Sequence, residues 1–579
     1  MHRQTPVVAD VVANALKRHH IGFTLGQSVP SAIVLACEEC GIPQITFRQE
    51  NMGGAMADGF ARVSGRIPVL FCQNGPAAAL MVAPFAEAMK AGVPIVALVQ
   101  EVERAHIGKN AFQEFDHQAL FTPVTKWYRR LEDPDQVEDR IDEAFVAAGS
   151  GRPGPAVLML PVDLQRAQVK TKARRRAQLG TWPIDRPRPA RELTDAAAGL
   201  LAGAKHPVIL AGGGVHASQA SEALARLQEQ ASLPVITTNM GKGAVAETHP
   251  LSAGPLASLT GPGSLGRHTR PMLARADVVL LVGTRTNEDG TDKWTLIPPG
   301  ASLIHVDIDP QEIGRNYEAM RLQGDARETL IELADALARC DLSKRNAGRP
   351  ELERHIADAW KSFEADRAPM ASSDMAPIRP ERVMAAIQGC LDGSAIVVGD
   401  ASYASNWVVG QLRTDSLGTR VITPRGLAGL GWGLPLAIGA KLARPSARVI
   451  GVVGDGGFGH AWAELETAVR HGIALTIVVL NNAVLGYQKD AEHVKFGRYT
   501  SSGHLHRVDH ASVSRACGGE GHSVKAAADL EPALRRALAS KTVTVIDVMV
   551  DPGAHPPISL YDGKLDRATS QGIVLEAVP

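Results

Sequence analysis

The chain is 579 residues long, too long for a single core, and that length predicts about three domains. Hydrophobic residues make up 45% and charged residues 21%, an ordinary globular balance that excludes a disordered or fibrous protein. Lys plus Arg equals Asp plus Glu, at 61 each, so the surface offers no general field to a polyanion and nucleic acid is not an expected partner.

Met1 to His20 sets Asp10, Lys17 and Arg18 among apolar residues in a helical rhythm, with neither an uninterrupted apolar stretch nor a small-residue cleavage site. Apolar runs elsewhere, such as Val278 to Val282, are strand-sized and fall far short of the roughly 20 residues that span a bilayer. A cytoplasmic protein without a membrane partner is expected. Of six scattered cysteines only Cys37 and Cys40 are close together. Their place at the end of an amphipathic run, Ala32 to Cys40, favours buried thiols over a redox pair, and no disulfide framework is expected.

Val69 to Phe71, Ile95 to Val99, Val157 to Leu160, Val208 to Leu210, Val278 to Val282 and Leu303 to Val306 are short apolar runs between helical patterns. Continuous apolar strands alternating with helices predict parallel sheets covered on both faces, hence a repeated α/β architecture. Two composition breaks divide it. Residues 169–192 are basic and Pro-rich, which suits an exposed, solvated linker better than an anion site. Pro369, Ser372, Ser373, Pro377 and Pro380 cluster at a second joint. The expected domains are residues 1–167, 190–345 and 379–555, followed by a tail.

Several polar or Gly-rich segments stand between these runs. Glu50 opens a Gly-rich helical stretch reaching Arg62, and as a charge at a helix N-terminus it is stabilising by itself. Gln73 and Asn74, in Gln73-Asn74-Gly75-Pro76, carry amide donors that either bind an oxyanion or hold a loop. His106, His117 and His460 are candidate proton shuttles, since a free imidazole titrates near neutrality, and each reads as structural before it reads as a shuttle.

The richest stretch is Arg448 to His460, with glycines at 454, 456, 457 and 459 around Asp455, then a helical run, Ala461 to His471, and an apolar run ending in Asn481-Asn482. It reads as strand, glycine turn, helix, strand. A right-handed crossover sets the strands parallel and carries Asp455 and Asn482 to their carboxyl ends, where open α/β sheets bind ligands. A carboxylate and an amide oxygen are hard ligands of the kind Mg²⁺ takes beside phosphate oxygens. The glycines let a diphosphate approach the backbone at the start of a helix. A lone Gly-Asp-Gly is a plain turn, but here 24 residues separate Gly456 from Asn481.

That spacing, with the Asn-Asn pair, resembles the thiamine diphosphate motif of acetolactate synthases and their relatives. The resemblance runs through essentially the whole chain and includes Ala111-Phe112-Gln113-Glu114, Ser150-Gly-Arg-Pro-Gly-Pro155, Ala211-Gly-Gly-Gly-Val215 and His305-Val-Asp-Ile-Asp-Pro310. It implies three doubly wound parallel-sheet domains: pyrimidine-binding, central and diphosphate-binding. It also implies that Asp455, Asn482 and the backbone carbonyl of Val484 are metal ligands, with Gly454, Gly456, Gly457, Leu485, Gly486 and Tyr487 around the cofactor. Ala401, Ser402 and Tyr403 match the family's diphosphate-side loop, and Pro76 a further cofactor contact. Ala428 and Leu430 match the segment beneath the cofactor's bend, where a bulky residue, here Leu430, props the two rings into a V. Glu50 matches the glutamate that hydrogen-bonds the aminopyrimidine ring and favours the imino tautomer, which removes the thiazolium C2 proton.

The implied function is that of a thiamine diphosphate- and Mg²⁺-dependent lyase or transferase acting on a small 2-oxo acid, with acetolactate synthase-like carboligation as first reading. Gln73, Asn74, Phe112, Gln113 and Arg285 are expected to line the substrate channel. Departures concern substrate. Val162 stands where these synthases tend to carry a lysine, Ala491 where a tryptophan helps choose a second 2-oxo acid, and Pro30 and Ser31 where a Gly-Ala pair lies near the thiazolium. Gln73-Asn74-Gly75-Pro76 also resembles the run in sulfoacetaldehyde acetyltransferases, which make acetyl phosphate. Non-oxidative 2-oxo acid decarboxylases of the family usually place histidines near the thiazolium, and no adjacent His-His pair occurs in the matching region. A flavin-dependent enzyme of the pyruvate oxidase type stays open. Gly212-Gly-Gly214 and Asp307-Ile-Asp309 look like a nucleotide-binding sheet, which holds FAD in some members and not in others. Thr284-Arg285-Thr-Asn-Glu-Asp289 departs from the Arg-Phe-Asp-Asp pattern of the flavin-containing synthases. In the family the active site lies between two subunits, so a homodimer or homotetramer is implied.

Overall fold

The chain is described from a computed structural model that covers residues 5–171 and 175–565. Its strands gather into three sheets of six, parallel throughout. The first contains β1 (Thr24–Gly26), β2 (Gln44–Thr46), β3 (Val69–Cys72), β4 (Ile95–Glu101), β5 (Trp127–Arg130) and β6 (Pro155–Pro161), in the order β2-β1-β3-β4-β6-β5. The second contains β7 (Pro207–Ala211), β8 (Val235–Thr237), β9 (Ser252–Pro255), β10 (Val278–Val282), β11 (Ser302–Asp307) and β12 (Met320–Gln323), in the order β12-β11-β10-β7-β8-β9. The third contains β13 (Ile396–Gly399), β14 (Val421–Ile422), β15 (Val449–Gly454), β16 (Thr476–Asn481), β17 (Glu520–Val524) and β18 (Thr544–Met549), in the order β14-β13-β15-β16-β18-β17. All six apolar runs singled out above are strands. They are continuous rather than alternating because helices cover both faces of each sheet, which is the α/β, doubly wound architecture expected.

In each sheet the direction of winding reverses at a central point, between β1 and β3, between β7 and β10, and between β13 and β15. Such switch points open a crevice at the carboxyl ends of the strands. They carry Gln73 and Asn74 in the first sheet, Gly212–Gly214 with Thr284 and Arg285 in the second, and Asp400 with Asp455 in the third.

The first and third sheets share one apolar core, which includes Met56, Leu70, Trp432, Leu436 and Val453. Helix Glu50–Ser64 lies against helix Gly433–Ala443, and two glycines bring them together. A Cβ on Gly59 would overlap the Leu436 carbonyl oxygen, and one on Gly439 would overlap that of Met56.

Two stretches differ from the sequence expectation. The second half of the Pro-rich segment is not simply exposed: Trp182 is 5% exposed and joins the core of the first sheet, because an indole gains more from burial than the surrounding prolines lose. Residues 172–174 of its basic run lie outside the described residues. Helix Ser343–Ala371 continues well past residue 345 and contains Pro350 and Pro369. It is held to the second sheet by Ile356, Trp360 and Phe363, so burial of that face overrides the prolines and shortens the second joint to residues 372–379. All six cysteines are free, and burial, with Cys40 and Glu38 nearby, pushes the Cys37 thiol up to about 12. Among the described residues no helix is long and apolar enough to cross a membrane.

Candidate active site

At the switch point of the third sheet β15 ends at Gly454 and a short helix, Asp455–Phe458, begins at once. The glycine run takes up helical turns itself, so the following helix is shorter than expected, Glu464–Arg470. Nothing lies within 4 Å of a Cβ built on Gly454, which leaves space over the turn. On the neighbouring strand β16 ends at Asn481, Asn482 follows, and the chain turns at Ala483, whose φ is +59°. The Ala483 N–H donates to Asp455 Oδ2 at 2.8 Å, and the Val484 N–H donates to Asn482 Oδ1 at 3.1 Å. The loops carrying Asp455, Asn482 and Val484 therefore meet at one point. Burial pushes the Asp455 carboxyl up to about 6, against the pull of the Ala483 and Gly456 N–H groups.

The rest of this loop is tied down on both sides. Val484 pairs with His504 in an isolated antiparallel bridge, and the Leu485 N–H donates to the Gly503 carbonyl at 2.8 Å. Tyr403 is buried: its hydroxyl donates to Asp490 Oδ2 at 2.7 Å and is hydrogen-bonded to the Tyr561 hydroxyl at 2.7 Å. Its ring lies beneath Gly486, where a Cβ would sit 2.9 Å away, and meets Tyr487 edge-on at 6.0 Å. Tyr403 thus supports the start of helix Gly486–Phe496 with its hydroxyl engaged inside the domain. Ala401 is buried and Ser402, at φ +65°, turns the chain into helix Tyr403–Gln411. Among the described residues no group of three His, Cys, Asp or Glu side chains could hold a metal. One carboxylate with amide and carbonyl oxygens leaves the remaining positions to ligand oxygens, which fits Mg²⁺ completed by a diphosphate.

Two carboxylates that sequence reasoning did not single out shape the neighbouring loop. Asp400 accepts the N–H groups of Gly431, Trp432 and Gly433 at 3.0, 3.0 and 3.1 Å, and burial pushes its carboxyl up to about 6. Glu87, from the first domain, accepts those of Gly426, Leu427 and Ala428 at 2.7, 2.5 and 3.1 Å, with Arg62 3.6 Å away. Ala428 has φ +61°, a conformation that costs a non-glycine residue roughly 1–3 kcal/mol unless its surroundings hold it. With the loop pinned at both ends, Leu430 projects from it, 40% exposed. The available signal for Glu87 was its place as the one carboxylate of a helix, Val82–Ala91, whose other residues are apolar apart from Lys90. Glu87→Gln turns an N–H toward these donors and is expected to cost about 2 kcal/mol locally. Hydrogen exchange at residues 426–428 should then accelerate by about thirtyfold.

In the first domain the approach to Glu50 is set across the domain boundary. The backbone N–H groups of Arg48 and Gln49 donate to the fully buried Glu464 carboxylate at 3.2 and 3.1 Å. Glu50 then begins helix Glu50–Ser64, half-buried, and among the described residues its carboxylate makes no hydrogen bond or ion pair. The buried Cys72 thiol close by is pushed up by its burial and, less, by the charge of Glu50. Gln73 Nε2 donates to Gln113 Oε1 at 2.7 Å and Asn74 Nδ2 to the Gln113 carbonyl at 3.0 Å, so these three residues form one unit. Each amide nitrogen keeps a second N–H. Phe112 beside them is 85% exposed, and Pro76 opens helix Pro76–Leu80. His106 is exposed, 3.5 Å from Glu103, and His460 is exposed with its Cβ against Gly431.

Arg285 follows β10 of the second sheet. It lines a cavity of about 120 Å³ at the second switch point, with Gly213, Gly214, Arg152, Asp307 and Arg425. The N–H groups of Gly212 and Gly214 donate to the carbonyls of Val282 and Gly283 at 2.8 and 2.9 Å. A Cβ on Gly212 would overlap the Gly283 carbonyl oxygen, so these glycines seat two loops on each other rather than cradle a phosphate. Ligand pockets hold roughly 300–1,000 Å³, more than this cavity offers.

Asp307, in the same wall, is pushed by burial from 3.8 up to about 7. Its folded value lies above the unfolded one, so the native state holds an extra proton between about pH 4 and pH 7 and loses stability as pH rises through that window. Asp307→Asn keeps an acceptor for the Asp309 N–H. It should therefore raise the urea midpoint at pH 8 and leave it unchanged at pH 4.

Comparison with known proteins follows the same three regions. Sequence profiles of thiamine pyrophosphate enzymes match residues 6–120 (N-terminal TPP binding domain), 194–333 (central domain) and 400–548 (C-terminal TPP binding domain). A probable acetolactate synthase large subunit of Methanocaldococcus jannaschii is 31% identical over 571 residues, covering 96% of this chain and 94% of its own. The acetolactate synthase large subunit of Parasynechococcus marenigrum is 31% identical, covering 95% and 89%. A sulfoacetaldehyde acetyltransferase of Castellaniella defragrans is also 31% identical, covering 88% and 87%. With three matched domains on three sheets and identity spread along nearly the whole chain, the protein belongs to the thiamine pyrophosphate enzyme family and is an enzyme of the acetolactate synthase type.

Proposed function

We propose that the protein is a Mg²⁺-dependent carboligase that takes a small 2-oxo acid such as pyruvate and joins its acyl portion to a second carbonyl compound. The observation that carries this reading is the meeting of the Asp455, Asn482 and Val484 loops beside the open turn at Gly454. Bound there, thiamine diphosphate supplies a carbon nucleophile and an electron sink for the bond between a carbonyl carbon and a carboxylate. Asp455, Asn482 and the Val484 carbonyl hold the metal, and Gly454, Gly456 and Gly457 admit the diphosphate. Leu430 supports the cofactor's bend. Glu50 exchanges a proton with a ring nitrogen of the aminopyrimidine, a role that its partnerless carboxylate at the head of a well-anchored helix supports. The second N–H groups of Gln73 and Asn74 bind a substrate oxygen, while Gln113 fixes their direction. Arg285 stays in the candidate substrate set: it lines the central cavity with Arg425, which leads into the loop held by Glu87.

Phe112, Phe115, Leu430 and Tyr487 are exposed apolar side chains on the loops and the helix start that flank the site. Their exposure supports a second copy completing it, as a homodimer or homotetramer.

A second reading is an acyltransferase to phosphate. It is supported by the Castellaniella defragrans relative and by Gln73-Asn74-Gly75-Pro76. One experiment tests both. The purified protein is given thiamine diphosphate, Mg²⁺ and a panel of 2-oxo acids, with and without phosphate, aldehyde acceptors and an electron-accepting dye. Acetolactate from pyruvate is the expected product, acetyl phosphate would establish the second reading, and a reduced dye with flavin absorbance would overturn both. Absence of any product would overturn the carboligase.

A further inference from the structure

We infer that Glu101 and His117 form a positioning relay that holds Gly75, and through it keeps the Gln73 and Asn74 amides in the geometry that binds substrate; the inference rests on the proposed role of those two amides. His117 is buried at the start of helix His117–Phe121, which Asp116 caps by accepting the Ala119 N–H at 3.0 Å. The Gly75 N–H donates to His117 Nε2 at 2.9 Å. That nitrogen must therefore be the unprotonated one, and the ring proton sits on Nδ1, 3.1 Å from Glu101 Oε2, to which it is donated. The other Glu101 oxygen accepts the Val102 N–H at 2.9 Å, which fixes the carboxylate at the end of β4.

The loop so held follows β3 at the switch point of the first sheet. Residues 73, 74 and 75 each make one bond to the segment 113–117: Gln73 and Asn74 to Gln113, Gly75 to His117. Gly75 has φ +63° and a Cβ there would lie 2.8 Å from Gln113, so only glycine allows this approach. The two Gln113 bonds tie one loop to another. The relay ties the loop to a second strand of the sheet, because Glu101 is the last residue of β4.

A histidine is suited to this place because the relay works through one tautomer. Glu101 accepts the hydrogen bond of Nδ1–H, which holds the proton there and so keeps Nε2 an acceptor. A proton on Nε2 would face the Gly75 N–H and push the peptide away. Glu101 and His117 also line a cavity of about 810 Å³, which gives a small molecule access to the ring's position.

The test uses the holoenzyme with thiamine diphosphate, Mg²⁺ and the substrate it turns over. His117→Gly should raise KM about tenfold or more, with cofactor affinity by calorimetry within about twofold of the parent protein. Millimolar imidazole should restore KM, whereas pyrrole, which has the same shape but no acceptor nitrogen, should not. Glu101→Gln preserves volume, releases the tautomer and should shift KM in the same direction. Rescue by pyrrole as good as by imidazole would reduce His117 to a space filler and overturn the inference. So would an unchanged KM in Glu101→Gln, which also decides the matter if His117→Gly does not fold. Hydrogen exchange at Gly75 in Glu101→Gln is a readout without turnover. Accelerated exchange is expected even from a protein inactive on every substrate, which would sink the carboligase reading alone, and unchanged exchange would sink the relay.

Discussion

Glu50→Gln is expected to lower kcat by about a thousandfold while thiamine diphosphate still binds within a few-fold of the parent affinity. Positioned proton transfer is worth roughly 10²–10⁴ in rate. The amide keeps the size of the side chain but neither takes nor returns a proton. Its fold should be unaffected, because the carboxylate it replaces makes no hydrogen bond or ion pair among the described residues and the helix entry depends on Glu464. Steady-state kinetics beside calorimetry separate the two effects. Turnover near the parent value would show that the proton passes elsewhere, and lost binding with normal kcat at saturation would make Glu50 a mere anchor.

The second large effect is expected at Asp455. Asp455→Asn retains an oxygen for the Ala483 N–H and therefore the joint between the two loops. What it removes is the carboxylate of the proposed ligand set, and among the described residues no group of three His, Cys, Asp or Glu side chains could hold a metal in its place. Mg²⁺-dependent uptake of thiamine diphosphate should weaken by about a hundredfold or more, because losing a charged partner in a desolvated site typically costs about 2–5 kcal/mol. Calorimetry with and without Mg²⁺ measures it. If the substitution left the metal dependence intact, the ligand set would have to be sought in other residues.

These residues differ in how legible they were. Asp455 and Asn482 stood out because a crossover has one allowed hand, so a turn and a strand end at a given spacing must come out on the same side of a sheet. Glu50 was legible only through its resemblance to a family, since a glutamate at a helix start has a sufficient local reason to be there. Glu87, Asp400 and Glu464 were not legible as a group. Each accepts backbone N–H groups, those of residues 426–428, of residues 431–433 and of Arg48 with Gln49, and an N–H leaves no trace in the identity of the residue that bears it. Arg285 was assigned to the substrate channel through the resemblance, and it lies at the switch point of the second sheet.

Strands, the repetition of one α/β plan and the encounter of Asp455 with Asn482 follow from the amino-acid sequence alone, because they depend on apolar periodicity and on the handedness of a single crossover. Tertiary structure decided the rest: that Gly59 and Gly439 press the first domain onto the third, that Trp182 is buried, that a helix runs through Pro350, and that the loop bearing Ala428 and Leu430 is held by Glu87 from another domain. The physical reason is common to all four. Each is a contact between segments far apart in the chain, where close packing and backbone hydrogen bonding, rather than local propensity, set the free energy.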